Sequence, residues 1–392
     1  MRLRWVTHAY PRSDGDLAGH FLELLAVGLV ARGHQLEVIA PADEGRGGRE
    51  LRAGVAVHRL RYAPGAWETL AYRGTMTEAV RTPAGWLALN GLVASQVAAL
   101  RRNRAGVDLV HAHWWIPGGI SAWAAARLGG CPYVVTLHGT DVAILARSSA
   151  ARRLARRVLR GASAVTAVSA YLAGRAAEVA GLAPEQIVIQ PMPAEVAPVS
   201  LTTGGGGLVT VGRLTQQKRI HLIIEAAAAL GREGRPLPLT IVGDGPERGR
   251  LESLAHDLGI GERVRFAGRL KPADVAGAIA GADLFAFAGV GEGFGLVAAE
   301  ALMAGVPVAA VDSGGIGDVV PRVGAGRLVE DGFDGTVVAG RLSRAMGELL
   351  ADPAARSSAR AAGQEWRGRL AASAVAAAFD GVYQRALTEG AA

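Results

Sequence analysis

The chain has 392 residues, half of them hydrophobic and 20% charged, which excludes a disordered protein and exceeds what one ordinary core accommodates. Its single cysteine, Cys131, excludes an internal disulfide and suits a reducing cytoplasm. The net charge of +7 is one-sided: residues 1–200 carry 22 arginines against 14 acids, whereas residues 201–392 carry 20 basic groups against 21 acids.

Taken in order, Leu3–His8 reads as a strand and Leu17–Arg32 as a helix. Leu36–Ala40 and Val55–Leu60 follow as strands, and a long segment ending at Arg104 is helical in its last part. Leu109–His111, Tyr133–Leu137, Ala164–Val168 and Gln186–Gln190 continue the strands, with helical stretches between them. Such alternation predicts a parallel sheet with helices on both faces. Pro191, Pro193, Pro198 and Gly204–Gly207 interrupt the pattern, so residues 191–206 are the expected linker. A second series has strands at Leu208–Val211, Leu239–Val242, Val264–Phe266, Leu284–Phe287 and Val306–Val311, and an alanine-rich helix runs from about Arg369 to Leu387. The expectation is α/β: Rossmann-like doubly wound domains at 1–190 and 207–368. No uncharged apolar run reaches the roughly 18 residues of a membrane span, and no secretory leader pattern opens the chain.

The residues that carry chemistry fall after these strands, where open α/β sheets bind ligands. The first strand leads to Tyr10-Pro11-Arg12-Ser13-Asp14-Gly15-Asp16. Leu109–His111 leads to His113-Trp114-Trp115; two histidines one residue apart, with no cysteine and no third ligand, do not predict a metal, and the segment reads as a sugar-facing aromatic shelf or as plain packing. Tyr133–Leu137 leads to His138-Gly139-Thr140-Asp141, either a reactive pair or a structural strand-end hydrogen bond. Tyr62, Trp67, Tyr72 and Trp86 are sugar-stacking or core aromatics. Residues 151–160 place paired arginines at helical spacing, on either a solvated helix or one drawn to anionic headgroups.

The second series is more specific. Leu208–Val211 runs into Gly212-Arg213-Leu214, then Lys218-Arg219. A guanidinium fork and a lysine point charge there neutralise a diphosphate without a metal. Leu239–Val242 runs into Gly243-Asp244-Gly245-Pro246, whose glycines permit close backbone approach. Residues 292–300 read Glu-Gly-Phe-Gly-Leu-Val-Ala-Ala-Glu, ahead of a helix that stops at Gly305. This places Glu292 and Glu300 on either side of the free N–H groups of a helix start, which favour phosphate. Asp312-Ser313-Gly314-Gly315 follows the next strand.

These motifs, in this order, resemble those of the retaining GT-B glycosyltransferases of the family 4-like, group 1 kind, which include glycogen-synthase-like and phosphatidylinositol mannosyltransferase-like enzymes. The resemblance spans nearly the whole chain and departs at Arg219, where the family usually has glycine. It implies two domains facing across a cleft, with a C-terminal helix (about 369–392) returning to the first. It implies a metal-independent hexosyltransferase without cofactor. A UDP- or GDP-sugar would bind the second domain and a sugar or lipid-linked acceptor the first, with retained configuration and the departing phosphate taking the acceptor proton. By the same resemblance the catalytic group comprises His138, Glu292, Arg213 and Lys218. Glu300, the backbone of Phe294, Gly295 and Leu296, and Gly243, Gly245, Gly15 and Asp16 hold the donor. His113, Trp114, Asp141 and Tyr62 are acceptor-side expectations. The basic first half suggests contact with an anionic membrane at its cytoplasmic face and a cell-envelope glycolipid or polysaccharide precursor as acceptor, without nucleic acid. The alternatives are a nucleotide-sugar epimerase on the same fold, a nicotinamide-dependent Rossmann enzyme, which the lack of a clean Gly-x-Gly-x-x-Gly disfavours, and a non-catalytic sugar-binding protein.

Overall fold

A computed structural model describes residues 1–16, 18–72, 76–102, 104–145, 148–196 and 205–389. The chain divides into two compact units, Met1–Pro193 with Ala371–Ala392, and Ala194–Leu370.

The first unit contains β1 (Arg2–Val6), α1 (His20–Ala31), β2 (Gln35–Pro41), β3 (Gly48–Arg52), β4 (Val55–Leu60), α2 (Met76–Ala79), α3 (Pro83–Arg101) and β5 (Leu109–His113). It continues through α4 (Ile120–Arg127), β6 (Tyr133–Leu137), α5 (Thr140–Leu145), α6 (Ser149–Arg160), β7 (Ala164–Ala167), α7 (Ala170–Ala180) and β8 (Ile187–Ile189). The strands form one sheet in the order β3-β4-β2-β1-β5-β6-β7-β8, parallel except for β3. Its central strands β5 and β6 are buried along their whole length, as a sheet covered on both faces requires. Strand β3 was not expected from the sequence. It reads Gly-Arg-Glu-Leu-Arg, is largely exposed, and closes the sheet edge with charges that discourage further pairing. Side-chain caps start three helices: the hydroxyls of Thr82, Ser148 and Ser169 accept from the N–H of Gly85, Ala151 and Leu172. The expected start of α1 at Leu17 lies outside the described residues, as do residues 197–204 of the expected linker.

The second unit contains β9 (Leu208–Val211), α8 (Ile220–Arg232), β10 (Leu239–Val242), α9 (Arg248–Asp257), β11 (Val264–Gly268), α10 (Pro272–Gly281), β12 (Leu284–Phe287), α11 (Leu296–Met303), β13 (Val308–Asp312), β14 (Gly326–Glu330), α12 (Gly335–Ala351) and α13 (Ala355–Leu370). All six strands are parallel, in the order β11-β10-β9-β12-β13-β14. Leu222, Ile223, Ile241, Leu284, Leu342 and Met346 are among the buried side chains of its core. Edge strand β14 was also missed, because a glycine and two charges mask its short apolar stretch.

The last helix, α14 (Ala372–Glu389), belongs to the first unit and packs on α1. The contact is so close that a Cβ on Gly28 would stand 2.7 Å from the Ala372 carbonyl oxygen. Asp380 ties it further, pairing with Arg32 and, at 2.5 Å, with Nε2 of His34. Among the described residues no helix is long and apolar enough to cross a membrane.

Candidate functional site

Parallel strands bring the loops that follow them to one edge of each sheet. In the second unit that edge gathers the loops after β9, β10, β12 and β13. Lys218 Nζ lies 2.6 Å from Glu292 Oε2, and both side chains are about one quarter exposed. The ammonium also stands 5.4 Å from the centre of the Phe287 ring. The strongest two sequence expectations are therefore joined as an ion pair, a pairing that spacing alone did not foretell.

Backbone hydrogen bonds set the height of this pair. Val290 N–H donates to Gln217 O (2.9 Å), and Gln217 Nε2 donates back to Val290 O (3.1 Å). Arg219 has left-handed backbone angles, φ 46° and ψ 41°, which accounts for glycine being the usual residue in the resembled motif. Its guanidinium donates to Ala288 O (2.7 Å) and to Asp331 (2.8 Å). Arg219 thus braces the Glu292 loop. Arg213 is exposed on the same loop. On the other flank, Gly315 N–H donates to Glu292 O at 2.7 Å.

Gly243 and Gly245 act through packing. A Cβ on Gly243, at φ 133°, would come within 1.9 Å of Gly212 O, and one on Gly245 within 2.3 Å of Leu214 O. The β10 loop therefore presses against the Arg213 loop, which only glycines allow. Gly295, at φ 94°, opens α11. The N–H groups of Leu296 and Val297 have no carbonyl partner among the described residues. Phe294 is buried, and its ring meets Trp366 edge-on at 5.7 Å. The carboxyl of Glu300, about one turn into α11, has no hydrogen-bond partner among the described residues, and burial lifts it from 4.5 to about 7.

The corresponding edge of the first unit is aromatic. His138 Nε2 lies 3.2 Å from His113 Nδ1, and the Trp114 ring stacks on His138 with centroids 4.2 Å apart. Phe21 faces His138 at 5.4 Å, and His8 faces Trp114 at 4.2 Å. His111 stacks on His113 at 4.1 Å, and its nitrogens reach Tyr383 Oη (2.8 Å) and Thr136 Oγ1 (2.6 Å). Burial holds all four imidazoles neutral, with His8 at about 4, His111 at about 3, and His113 and His138 well below the ordinary value. Neither His8 nor Tyr383 was singled out from the sequence. A strand-end position was the only signal for His8, and Phe379 and Tyr383, four apart in α14, the only signal for Tyr383. Among the described residues no group of three or more His, Cys, Asp or Glu is arranged to hold a metal.

Three acceptor-side expectations need correction. His113 is fully buried. Asp141 is also buried; its Oδ1 accepts from the N–H of His138, Gly139 and Val142, and its Oδ2 from that of Trp115. Burial pushes the Asp141 pKa up, and those N–H groups oppose the shift. Tyr62 packs against Leu70, Ala88 and Leu92, and its hydroxyl accepts from Leu70 N–H. These side chains shape the edge and offer no face to a ligand; Trp114, 8% exposed, stacks on His138 from above. Gly15 is at φ 78° in open surroundings. Asp16 is held by Arg12 at 2.7 Å; partial burial raises its carboxyl, and the Arg12 and Ala18 hydrogen bonds outweigh that and leave it lowered.

The chain matches two family patterns: "Glycosyl transferase 4-like domain" over residues 18–193 and "Glycosyl transferases group 1" over 200–366. It is 30% identical to the GDP-mannose-dependent alpha-(1-6)-phosphatidylinositol monomannoside mannosyltransferase of Mycolicibacterium smegmatis, over 92% of each chain. This chain belongs to the group 1 glycosyltransferases. Another relative of this glycosyltransferase is the 2-deoxystreptamine glucosyltransferase of Streptomyces kanamyceticus, 30% identical over 75% of this chain and 80% of that one. In fold, the glycosyltransferase is similar to sucrose-phosphate synthase from Thermosynechococcus elongatus (TM-score 0.78, 22% identity, 99% of each chain). It is similar also to HepE of Anabaena, solved with UDP and glucose (TM-score 0.74, 20% identity, 98% and 99% of the chains).

Proposed function

We propose that this glycosyltransferase transfers a hexosyl group from a nucleoside-diphosphate sugar to a hydroxyl of a sugar or lipid-linked acceptor. The Lys218–Glu292 pair beside the free start of α11 carries the reading. An ammonium, the Arg213 guanidinium and unpaired helix N–H groups form an anion site suited to the pyrophosphate, and they stabilise the negative charge that grows on it as the glycosidic bond breaks. Glu292, released when the diphosphate takes Lys218, accepts from donor-sugar hydroxyls. Glu300 accepts from the ribose. No metal is needed for charge neutralisation in this scheme.

The acceptor oxygen attacks the anomeric carbon from the face the diphosphate leaves, and its proton passes to the departing phosphate oxygen, so configuration is retained. His138 is neutral and contributes a polar contact to the sugar; it takes no proton. A nucleoside-diphosphate donor and a glycolipid acceptor agree with the activity for which the Mycolicibacterium relative is named.

Membrane contact is part of the proposal. Arg152, Arg153, Arg156, Arg157 and Arg160 are exposed on α6, and none has a carboxylate partner among the described residues. Sedimentation with anionic but not neutral vesicles, reversed by salt, is expected; equal binding to both removes the electrostatic version. The function itself is tested by screening UDP- and GDP-sugars by thermal shift, then measuring acceptor-dependent release of nucleoside diphosphate. Turnover of a donor without acceptor would favour the epimerase, and failure of every nucleoside diphosphate to bind would remove the reading.

A further inference from the structure

His113 stands at the carboxyl end of β5, fully buried, opposite Thr136 in the β5–β6 register. Trp5 meets its ring edge-on at 4.6 Å, and His111 stacks on it. His111 is itself pinned by the hydroxyls of Tyr383 and Thr136, so the position of His113 is set from several sides. Its ring has two nitrogens to satisfy. Nδ1 faces His138 Nε2, and Nε2 is buried with no partner.

A neutral imidazole carries one proton, on one nitrogen or the other. Since His113 and His138 are both neutral, one of the two facing nitrogens donates and the other accepts. If His138 Nε2 donated, the proton of His113 would sit on its own Nε2 as a buried N–H without an acceptor. If His113 Nδ1 donates, only a lone pair is left unfilled at Nε2. Buried orphan N–H groups are the rarer of the two in folded proteins.

We infer that His113 donates from Nδ1 to Nε2 of His138 and thereby fixes His138 as the Nδ1–H tautomer. The free nitrogen of His138 is then a hydrogen-bond donor. It has no protein partner among the described residues, and His138 is only half-buried. It takes an oxygen acceptor, such as a sugar hydroxyl or a phosphate oxygen, and cannot abstract a proton. His113 is thus a positioning residue that acts through His138. Its catalytic consequence rests on the proposed contact of His138 with the donor sugar; the tautomer does not.

The test is proton–nitrogen correlation spectroscopy of the whole protein with isotope-labelled histidine, the His138 signals being those lost in His138→Gln. The expected wild-type result is a proton-bearing Nδ1 and a bare Nε2 on His138 at neutral pH. In His113→Leu the Nε2–H form should appear, with kcat lowered about tenfold or more and donor KM changed less. His113→Asn places an amide donor near the position of Nδ1, so it should restore the Nδ1–H form and recover part of the lost kcat. An Nε2–H tautomer in the wild-type protein overturns the inference without any variant needing to fold. An unchanged His138 tautomer in His113→Leu overturns it too. Wild-type transfer by His138→Gln would instead defeat the functional reading of His138 and leave the tautomer assignment standing.

Discussion

In the first unit four histidines, His8, His111, His113 and His138, pack among tryptophans and are held uncharged by burial. In the second, the chemistry-bearing groups are charged and partly exposed, with Lys218 and Glu292 neutralising each other across 2.6 Å. The first arrangement keeps one geometry and one protonation state over a wide pH range, which suits recognition of neutral hydroxyls. The second stores opposite charges that an incoming anion can separate, which suits a ligand that arrives charged and leaves more so. The difference lies in desolvation: a buried imidazole gives up its proton to remain buried, whereas a surface ion pair costs little to make or break.

The sharpest way to break the comparison is Lys218→Ala. It should lower kcat/KM by about a hundredfold or more while far-UV circular dichroism and Tm stay close to wild type; near-wild-type turnover would remove the second unit's charged loop from the chemistry. Glu292→Gln separates the two halves of the pair. Transfer should fall by about a hundredfold, yet a nucleoside diphosphate should bind as well or up to about fivefold more tightly, because Lys218 no longer has to leave a carboxylate. Weaker binding by calorimetry would refute the exchange of partners.

Gly243→Ala tests whether the β10 loop is built by close packing. A methyl group placed against Gly212 O at positive φ should cost about 3 kcal/mol in denaturant unfolding. A loss well under 1 kcal/mol would mean that the loop yields. Glu300 provides a pH test. Its folded value of about 7 exceeds the ordinary 4.5, so the neutral form is favoured by folding. Its stabilising contribution is complete below about 4.5 and disappears as pH rises through 7. Wild type should therefore lose stability relative to Glu300→Gln over that window, and parallel pH profiles would count against a buried carboxyl. The smallest effect belongs to Arg219→Gly, where relief of left-handed strain offsets the lost bond to Asp331; a change within about 1 kcal/mol is expected.

The strands that carry the two edges were legible because parallel strands buried on both faces are continuous apolar runs. Strands β3 and β14 were not, since edge strands carry charge and glycine. The loop residues were legible by type and spacing, from Gly212 to Lys218 and from Glu292 to Glu300. Their partnerships were not: Lys218 and Glu292 are 74 positions apart, and His113 and His138 are 25 apart, one at the end of β5 and the other just after β6. Asp141 and Tyr62 misled for a related reason. Polar residues beside a predicted site invite a role toward ligand, but here their oxygen atoms are used by backbone N–H groups, which no local pattern reveals. For Arg219, a residue where the motif usually has glycine was the visible signal, and its bridge to Asp331 became apparent only in three dimensions.

The place of α14 has a consequence for biosynthesis. Tyr383 and Asp380 lie near the end of the chain, while the groups they hold, His111 and the Arg32–His34 corner, are translated early. A nascent chain has therefore exposed all of the second unit before the first can finish. Until then the histidine pocket lacks the side that Phe379 and Tyr383 supply, so the amino-terminal portion should emerge from the ribosome as an open, chaperone-accessible intermediate that matures last.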